Sequence, residues 1–195
     1  MFQMPIESRT RMSSSVFHLL EFVGKPLPFP APLDLCRDQV PAAPTCDGLR
    51  LAAAVAASAS PEAFRPAFAT GDWRVFGSYC IARRLPANHR VVTAGPSDRV
   101  LRFVVEGSLR QEGAGGSKVL LPGAILGADA LFSDGTADAD VRTLEPALVL
   151  ELSLPRQKEM TAACPEIGFE LLRAAGAVIA ARGRGCEPAV DVAKG

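Results

Sequence analysis

Net charge is what this chain most plainly lacks: its 21 basic and 21 acidic residues cancel across 195 positions. A neutral chain has no overall field with which to draw in a phosphate backbone or an anionic bilayer, and no local basic patch makes up for it. Nucleic acid is therefore not an expected partner. Histidine is scarce too. His18 and His89 are the two in the chain, one in the N-terminal stretch and one at an expected turn, so they cannot assemble a two- or three-histidine ligand set around a metal. The same shortage leaves a cysteine nucleophile without an imidazole base. No metal, cofactor or catalytic residue is expected, and the chain reads as non-enzymatic. Its five cysteines (36, 46, 80, 164 and 186) are odd in number and show no Cys-x-x-Cys spacing, which points to reduced thiols in a cytoplasm. Long apolar runs are missing as well. The stretches 16–23 and 52–57 are too short to span a bilayer, so no membrane insertion is expected.

What the chain does have is a middle section of short β-like runs closed by glycines. Gly95, Gly107, Gly123 and Gly127 stand at the ends of such runs, where a glycine supplies the positive φ of a tight reversal. Strands are expected over 81–85, 90–94, 100–106, 108–111, 118–121, 139–143 and 148–152. Turn signals recur at the spacing of an all-β sandwich or barrel. The run Glu112-Gly113-Ala114-Gly115-Gly116-Ser117 is a hairpin loop; it lacks the strand-to-helix context and the Gly-Lys-Ser/Thr ending of a phosphate-binding loop.

The flanks are helical or irregular. Residues 1–60 read as an extension of lower order, with an apolar patch at 16–23, alternating prolines at 26, 28, 30 and 32 that favour an extended path, and an alanine-rich helical stretch over 49–58. The 16–23 patch either folds back on the core or docks on a partner, and fold-back is the commoner fate of an apolar stripe. Ser60 and Pro61 predict a short helix to about Phe68, and Asp72 predicts the cap of a second one that carries Trp73, Val75 and Phe76, with Tyr79 and Ile81 at its end. Those aromatics are expected in the core. Residues 61–152 thus form the β-roll with its leading helices, 153–184 a helix pair, and 185–195 a tail. In the last helix Ile167, Leu171, Leu172, Ala175, Val178 and Ile179 follow the helical rhythm, and the small residues among them would let a second helix approach closely. This face either packs on the roll or forms a homodimer seam, and the helix is long enough to do both.

Several of these features together carry a family likeness. Arg83-Arg84-Leu85-Pro86-Ala87-Asn88, Gly95, Leu101-Arg102-Phe103-Val104-Val105-Glu106-Gly107, Leu121-Pro122-Gly123, Leu126-Gly127, Ala130-Leu131, Val141 and the helix pair from Pro155 resemble the cyclic-nucleotide-binding domain of the catabolite activator protein (CRP/FNR-like) superfamily. The resemblance implies a mainly β fold, a jelly roll (double-stranded β-helix) of roughly eight strands flanked by N-terminal helices and a long C-terminal helix. Asn88 stands where the family places a glycine, and asparagine is the residue best able to take over a left-handed turn.

The same resemblance implies where a ligand would sit. In the family, a Phe-Gly-Glu-x-Ala-Leu turn offers N–H groups to the cyclic phosphate and a carboxylate to the ribose, while a Pro-Arg-x-Ala-Thr/Ser-Val run offers an arginine to the phosphate. Here the first reads Leu126-Gly127-Ala128-Asp129-Ala130-Leu131 and the second Thr136-Ala137-Asp138-Ala139-Asp140-Val141, with Ala128 at the glutamate position and Ala137 at the arginine position. Both charged anchors are absent. Asp129, Asp134, Asp138 and Asp140 bring negative charge instead, and like charges a few ångströms apart repel by about 1–4 kcal/mol. Ordinary cyclic AMP or cyclic GMP is not expected to bind in the usual way.

Three readings follow. The chain is a degenerate module that acts through contact with a protein partner, its cassette filled by its own side chains; or a sensor for another small effector, neutral or cationic, held by the N–H groups of the Gly127 turn; or the alignment is shifted and a remote arginine, Arg102 or Arg142, replaces the lost one. Strand alternation turns Arg142 away from the face of Val141. The rival from another class is a cupin-like enzyme, disfavoured by the two histidines. DNA binding of the kind seen in the superfamily would require a helix-turn-helix after the last helix, for which the remaining residues are too few.

Overall fold

The computed structural model describes residues 47–96, 98–132 and 136–184, apart from the side chain of Ala130. The expectations for the 16–23 patch, the proline path, Asp134 and the tail fall outside the described residues. Helix α1 (Asp47–Ala57) and helix α2 (Thr70–Tyr79) come first. Ten strands follow among the described residues: β1 (Ile81–Leu85), β2 (Arg90–Val92), β3 (Gly95–Pro96), β4 (Val100–Glu106), β5 (Leu109–Gly113), β6 (Gly116–Leu120), β7 (Ile125–Leu126), β8 (Thr136–Ala137), β9 (Ala139–Thr143) and β10 (Ala147–Ser153). Helices α3 (Leu154–Ala163) and α4 (Pro165–Arg184) close the described part of the chain.

The strands form two antiparallel four-stranded sheets, ordered β1-β10-β4-β7 and β2-β9-β5-β6, with β3 and β8 as a separate pair. This is the jelly roll. Strand β4 shows how the sequence builds it. Successive side chains on a strand face opposite ways, and β4 is buried on both faces. Leu101, Phe103 and Val105 belong to the larger core cluster under the helices, whereas Val104 joins Leu109, Leu120, Leu126 and Val141 between the two sheets. Arg102 shares the inward face with Val104. The aromatics cluster as expected: Phe103 lies 4.8 Å from Phe64 and 5.2 Å from Phe76, ring centre to ring centre. Such pairs add about 0.5–1.5 kcal/mol beyond their buried area.

Strands β1, β4 and β9 have the expected bounds; β5, β6 and β10 are displaced or extended by a residue or two, and β2 is shorter. Three pieces were not foreseen, namely β3, β7 and β8, each only two residues long. Two expectations for the leading helices need correction. No helix forms over 61–68. Ser60 does take the Glu62 N–H on its Oγ at 3.2 Å, but the turn stops there: Ala63 bridges to Ala124, and the Phe64 N–H donates to the Gly123 carbonyl at 2.9 Å. Pro66 then removes a donor that a helix would need. Asp72 is not the cap itself. It sits at the third helical position of α2 and accepts the N–H of Ala69, the residue at the cap, at 2.8 Å. Ile81, expected at that helix's end, opens β1 and is half exposed.

Helix α1 lies within the stretch read as an extension, yet Leu51 and Val55 are buried in the main core. Ser153 is the N-cap residue of α3, without a side-chain capping bond. The cysteines divide. Cys80 is a buried free thiol whose pKa burial pushes far up, which keeps it protonated and unreactive. Cys164 is disulfide-bonded, so the expectation of reduced thiols does not hold there.

Candidate functional site

The roll encloses a cavity of about 370 Å³. Its wall begins at Gly127, where the backbone turns left-handed (φ 73°) to leave β7 and start a 3-10 turn over Ala128–Leu131. No other residue suits that corner. A Cβ built on Gly127 would stand 2.7 Å from the Val100 carbonyl oxygen, inside any real contact distance.

The turn distributes the expected pocket residues unevenly. Gly127 and Asp129 line the cavity. Ala128 does not: it has no exposed surface and belongs to the main core. Leu131 packs against that core as well, and the side chain of Ala130 lies outside what is described. The carboxylate that reaches the cavity from this turn is therefore one residue beyond the position that the resemblance assigns to it. On the opposite wall Ala137, Asp138, Ala139 and Val141 line the cavity. Asp140 does not line it. Its Oδ1 accepts the Ala94 N–H at 2.9 Å, which pins the end of β2 to β9. Arg142 is exposed, as the alternation along β9 requires.

Both guanidinium groups that line the cavity belong to residues outside the expected pocket set. Arg102, on β4, and Arg182, in the last turn of α4, both line it. Arg102 is the remote arginine of the third reading. Its signal was its place in the alternating run of β4, two residues from Val104 on the same face. Arg182 had no such signal, because only the packing of α4 along the roll brings that turn to the cavity.

Both guanidinium groups already have partners. Arg102 donates through Nε to Glu151 Oε1 at 3.2 Å, directly across the β4–β10 register, and through Nη1 to Asp98 Oδ1 at 3.2 Å, with a second bond from Nη2 to Asp98 Oδ2. Burial alone would lower its pKa, but Asp98 and Glu151 outweigh that and raise it. Burial likewise pushes the Asp98 carboxyl upward, and the Arg102 bond and charge more than reverse this, so it lies below the usual carboxylate range. Arg182 donates through Nε to Glu62 at 3.2 Å and through Nη2 to the Ile125 carbonyl at 2.5 Å. Lys118 also binds Glu62. These cations overcome the effect of burial and hold Glu62 below its ordinary value.

The dimer-helix candidates separate into two sets. Ile167, Leu171, Ala175 and Val178 are buried in the chain's own core. Leu172 and Ile179 are only partly buried, and they share a stripe with Phe169, which is 65% exposed. Gly176 continues that stripe, with nothing within 4 Å of where its Cβ would be.

Comparison with known proteins gives this geometry its class. Residues 82–163 match the family model described as Cyclic nucleotide-binding domain. A cyclic nucleotide-binding domain from Methylobacillus flagellatus KT is similar with a TM-score of 0.61 at 18% identity, over 72% of this chain and 81% of that one. The N-terminal domain of a transcriptional regulator from Streptomyces coelicolor A3(2) gives 0.53 at 21%, over 73% and 96%. The Thermus thermophilus catabolite activator protein gives 0.53 at 23% over 65% of this chain, which spans 59% of that protein's length. At such identities the structural likeness concerns the fold. No curated protein matches the chain. Residues 82–163 are thus similar to a cyclic nucleotide-binding domain, and the described part of the chain has the fold of such domains. No helix among the described residues is long and apolar enough to cross a membrane.

Proposed function

We propose that this chain is a non-enzymatic regulatory module whose cavity does not take cyclic AMP or cyclic GMP in the usual way, and which acts by contact with a protein partner, a second copy of itself included. The observation that carries this reading is the state of the cavity's positive charge. Ala137 stands where the resemblance places the phosphate arginine, and the two guanidinium groups that do line the cavity are each engaged by carboxylates of the chain itself. A charged ligand without a counterion is costly to bury. Isothermal titration of the full chain with cyclic AMP and cyclic GMP tests this, and no saturable heat is expected up to millimolar ligand; a micromolar isotherm would overturn it. Restoring the arginine alone, Ala137→Arg, is the gain-of-binding counterpart. Restoring a glutamate at 128 is not, since it would bury a carboxylate in the apolar core.

The open cavity favours a second reading, a receptor for a different small effector. A thermal-shift screen decides, because any specific binder raises the unfolding temperature by mass action. The contact surface proposed for dimerisation is the Phe169, Leu172, Gly176 and Ile179 stripe of α4. Charge neutrality supports a partner other than nucleic acid. The cytoplasmic setting keeps its support at Cys80 and loses it at Cys164.

A further inference from the structure

We propose that Asp98 is the cavity's internal anion: its carboxylate occupies the edge of Arg102 that the phosphate-type group of a small ligand would otherwise take, so the chain masks its own anion seat. This rests on the reading that the cavity as it stands refuses cyclic nucleotide, and it supplies a cause.

The two partners of Arg102 differ in kind. Glu151 is 16% exposed, sits on β10 opposite Arg102 in register, and takes the Nε edge. It is fixed by two strands. Asp98 is 55% exposed, lies on the turn before β4, and takes the fork made by Nη1 and Nη2. That planar fork is the part of a guanidinium that fits a carboxylate or phosphate with two bonds at once. The side chain that carries it is only 9% exposed and faces the cavity, so a ligand anion there would be shielded from water. Asp98 is the exchangeable partner.

The turn that delivers Asp98 is itself strained. Arg99 has φ 54°, a left-handed conformation rare for a residue with a long side chain. Such a conformation persists only where neighbouring contacts hold it. The Asp98 carboxylate provides them by accepting the Val100 N–H at 3.3 Å together with the Arg102 fork. Charge tells the same way: the lining residues include three aspartates, Asp98, Asp129 and Asp138, against two arginines, Arg102 and Arg182. Removing the charge of Asp98 evens the count of charged side chains on the wall and leaves the fork with only the long 3.4 Å bond from Nη1 to the Val100 carbonyl. An external anion must otherwise compete with a tethered one, and its apparent affinity falls by the fraction of molecules in which the seat is vacant.

The test is titration of the full chain near neutral pH with cyclic AMP as the anionic probe and adenosine as its uncharged counterpart. Asp98→Asn keeps an acceptor for the Val100 N–H, and Asp98→Ser does so with a smaller side chain should the first variant melt early. The expected result is a cyclic AMP affinity at least about tenfold above the wild-type limit in either variant, with no gain for adenosine. Adding Arg102→Lys, which keeps a charge beside Glu151 but not the fork, should remove most of that gain. Folded variants that bind cyclic AMP no better than wild type, an equal gain for adenosine, or a gain indifferent to Arg102→Lys would each overturn the mask. The two proposals fail differently: tight binding by the wild type sinks the reading of the site along with the mask, whereas silence in wild type and variants alike sinks the mask alone.

Discussion

Thr143 is fully buried and binds on both sides of the β1–β2 connection. Its Oγ1 donates to the Pro86 carbonyl at 2.6 Å and accepts the His89 N–H at 2.8 Å, which closes the turn around Asn88 at φ 60°. Thr143→Val keeps the shape and removes both bonds, so it should cost about 1–3 kcal/mol in urea unfolding. A result near zero would mean that water takes over both partners. Gly127 makes a sharper case. Its φ of 73° disfavours a side chain, and the Val100 carbonyl blocks one outright. Gly127→Ala should therefore cost about 1–3 kcal/mol and distort the cavity wall as well, seen as a lowered thermal midpoint. Asn88 shows the complementary case: it adopts the left-handed turn without a glycine, as its short polar side chain allows.

At the scale of elements, helix α4 has two apolar faces with different work. The buried one, through Leu171, Ala175 and Val178, holds the helix to its own roll. The other, through Phe169, Leu172 and Gly176, is less covered, and Ile179 at its edge also packs against the chain's own core. Leu172→Glu should shift a dimer toward monomer in sedimentation with little change in melting temperature. Val178→Glu should instead unfold the protein, by burying a charge among Leu171 and Ala175, and is no probe of assembly. The sequence carried one apolar rhythm, and periodicity alone could not divide it between the two faces, because a residue at either edge of a wide stripe fits both. Strands were more legible. Alternation and glycine corners located β1, β4 and β9 to the residue, while β3, β7 and β8, each a residue pair, are too short to carry any period. The 61–68 helix failed because local signals at Ser60 and Pro61 gave way to a tertiary bridge from Ala63 to Ala124.

For the whole molecule, about half of the candidate cavity wall was legible in the sequence. The Gly127 turn and the Ala137 wall follow from sequence likeness, and the absence of the expected arginine was visible at Ala137. Arg102 was legible only through its alternation with Val104 on β4, and Arg182 as a cavity residue follows only from how helix α4 closes on the roll. Glu62 shows what that closure depends on, since it joins the segment after α1 to Lys118 on β6 and to Arg182 on α4. Burial raises its pKa, but those two cations more than reverse the effect. A carboxyl with a depressed folded pKa contributes stability above its unfolded pKa of about 4, and that contribution is lost as pH falls through the folded value. Stability should accordingly decline below about pH 4–5. Glu62→Gln should remove about 1–2 kcal/mol near neutral pH and flatten the acid limb of the thermal midpoint against pH. Wild type and variant that differ by a constant offset across that limb would show that Glu62 acts through packing and not through its charge.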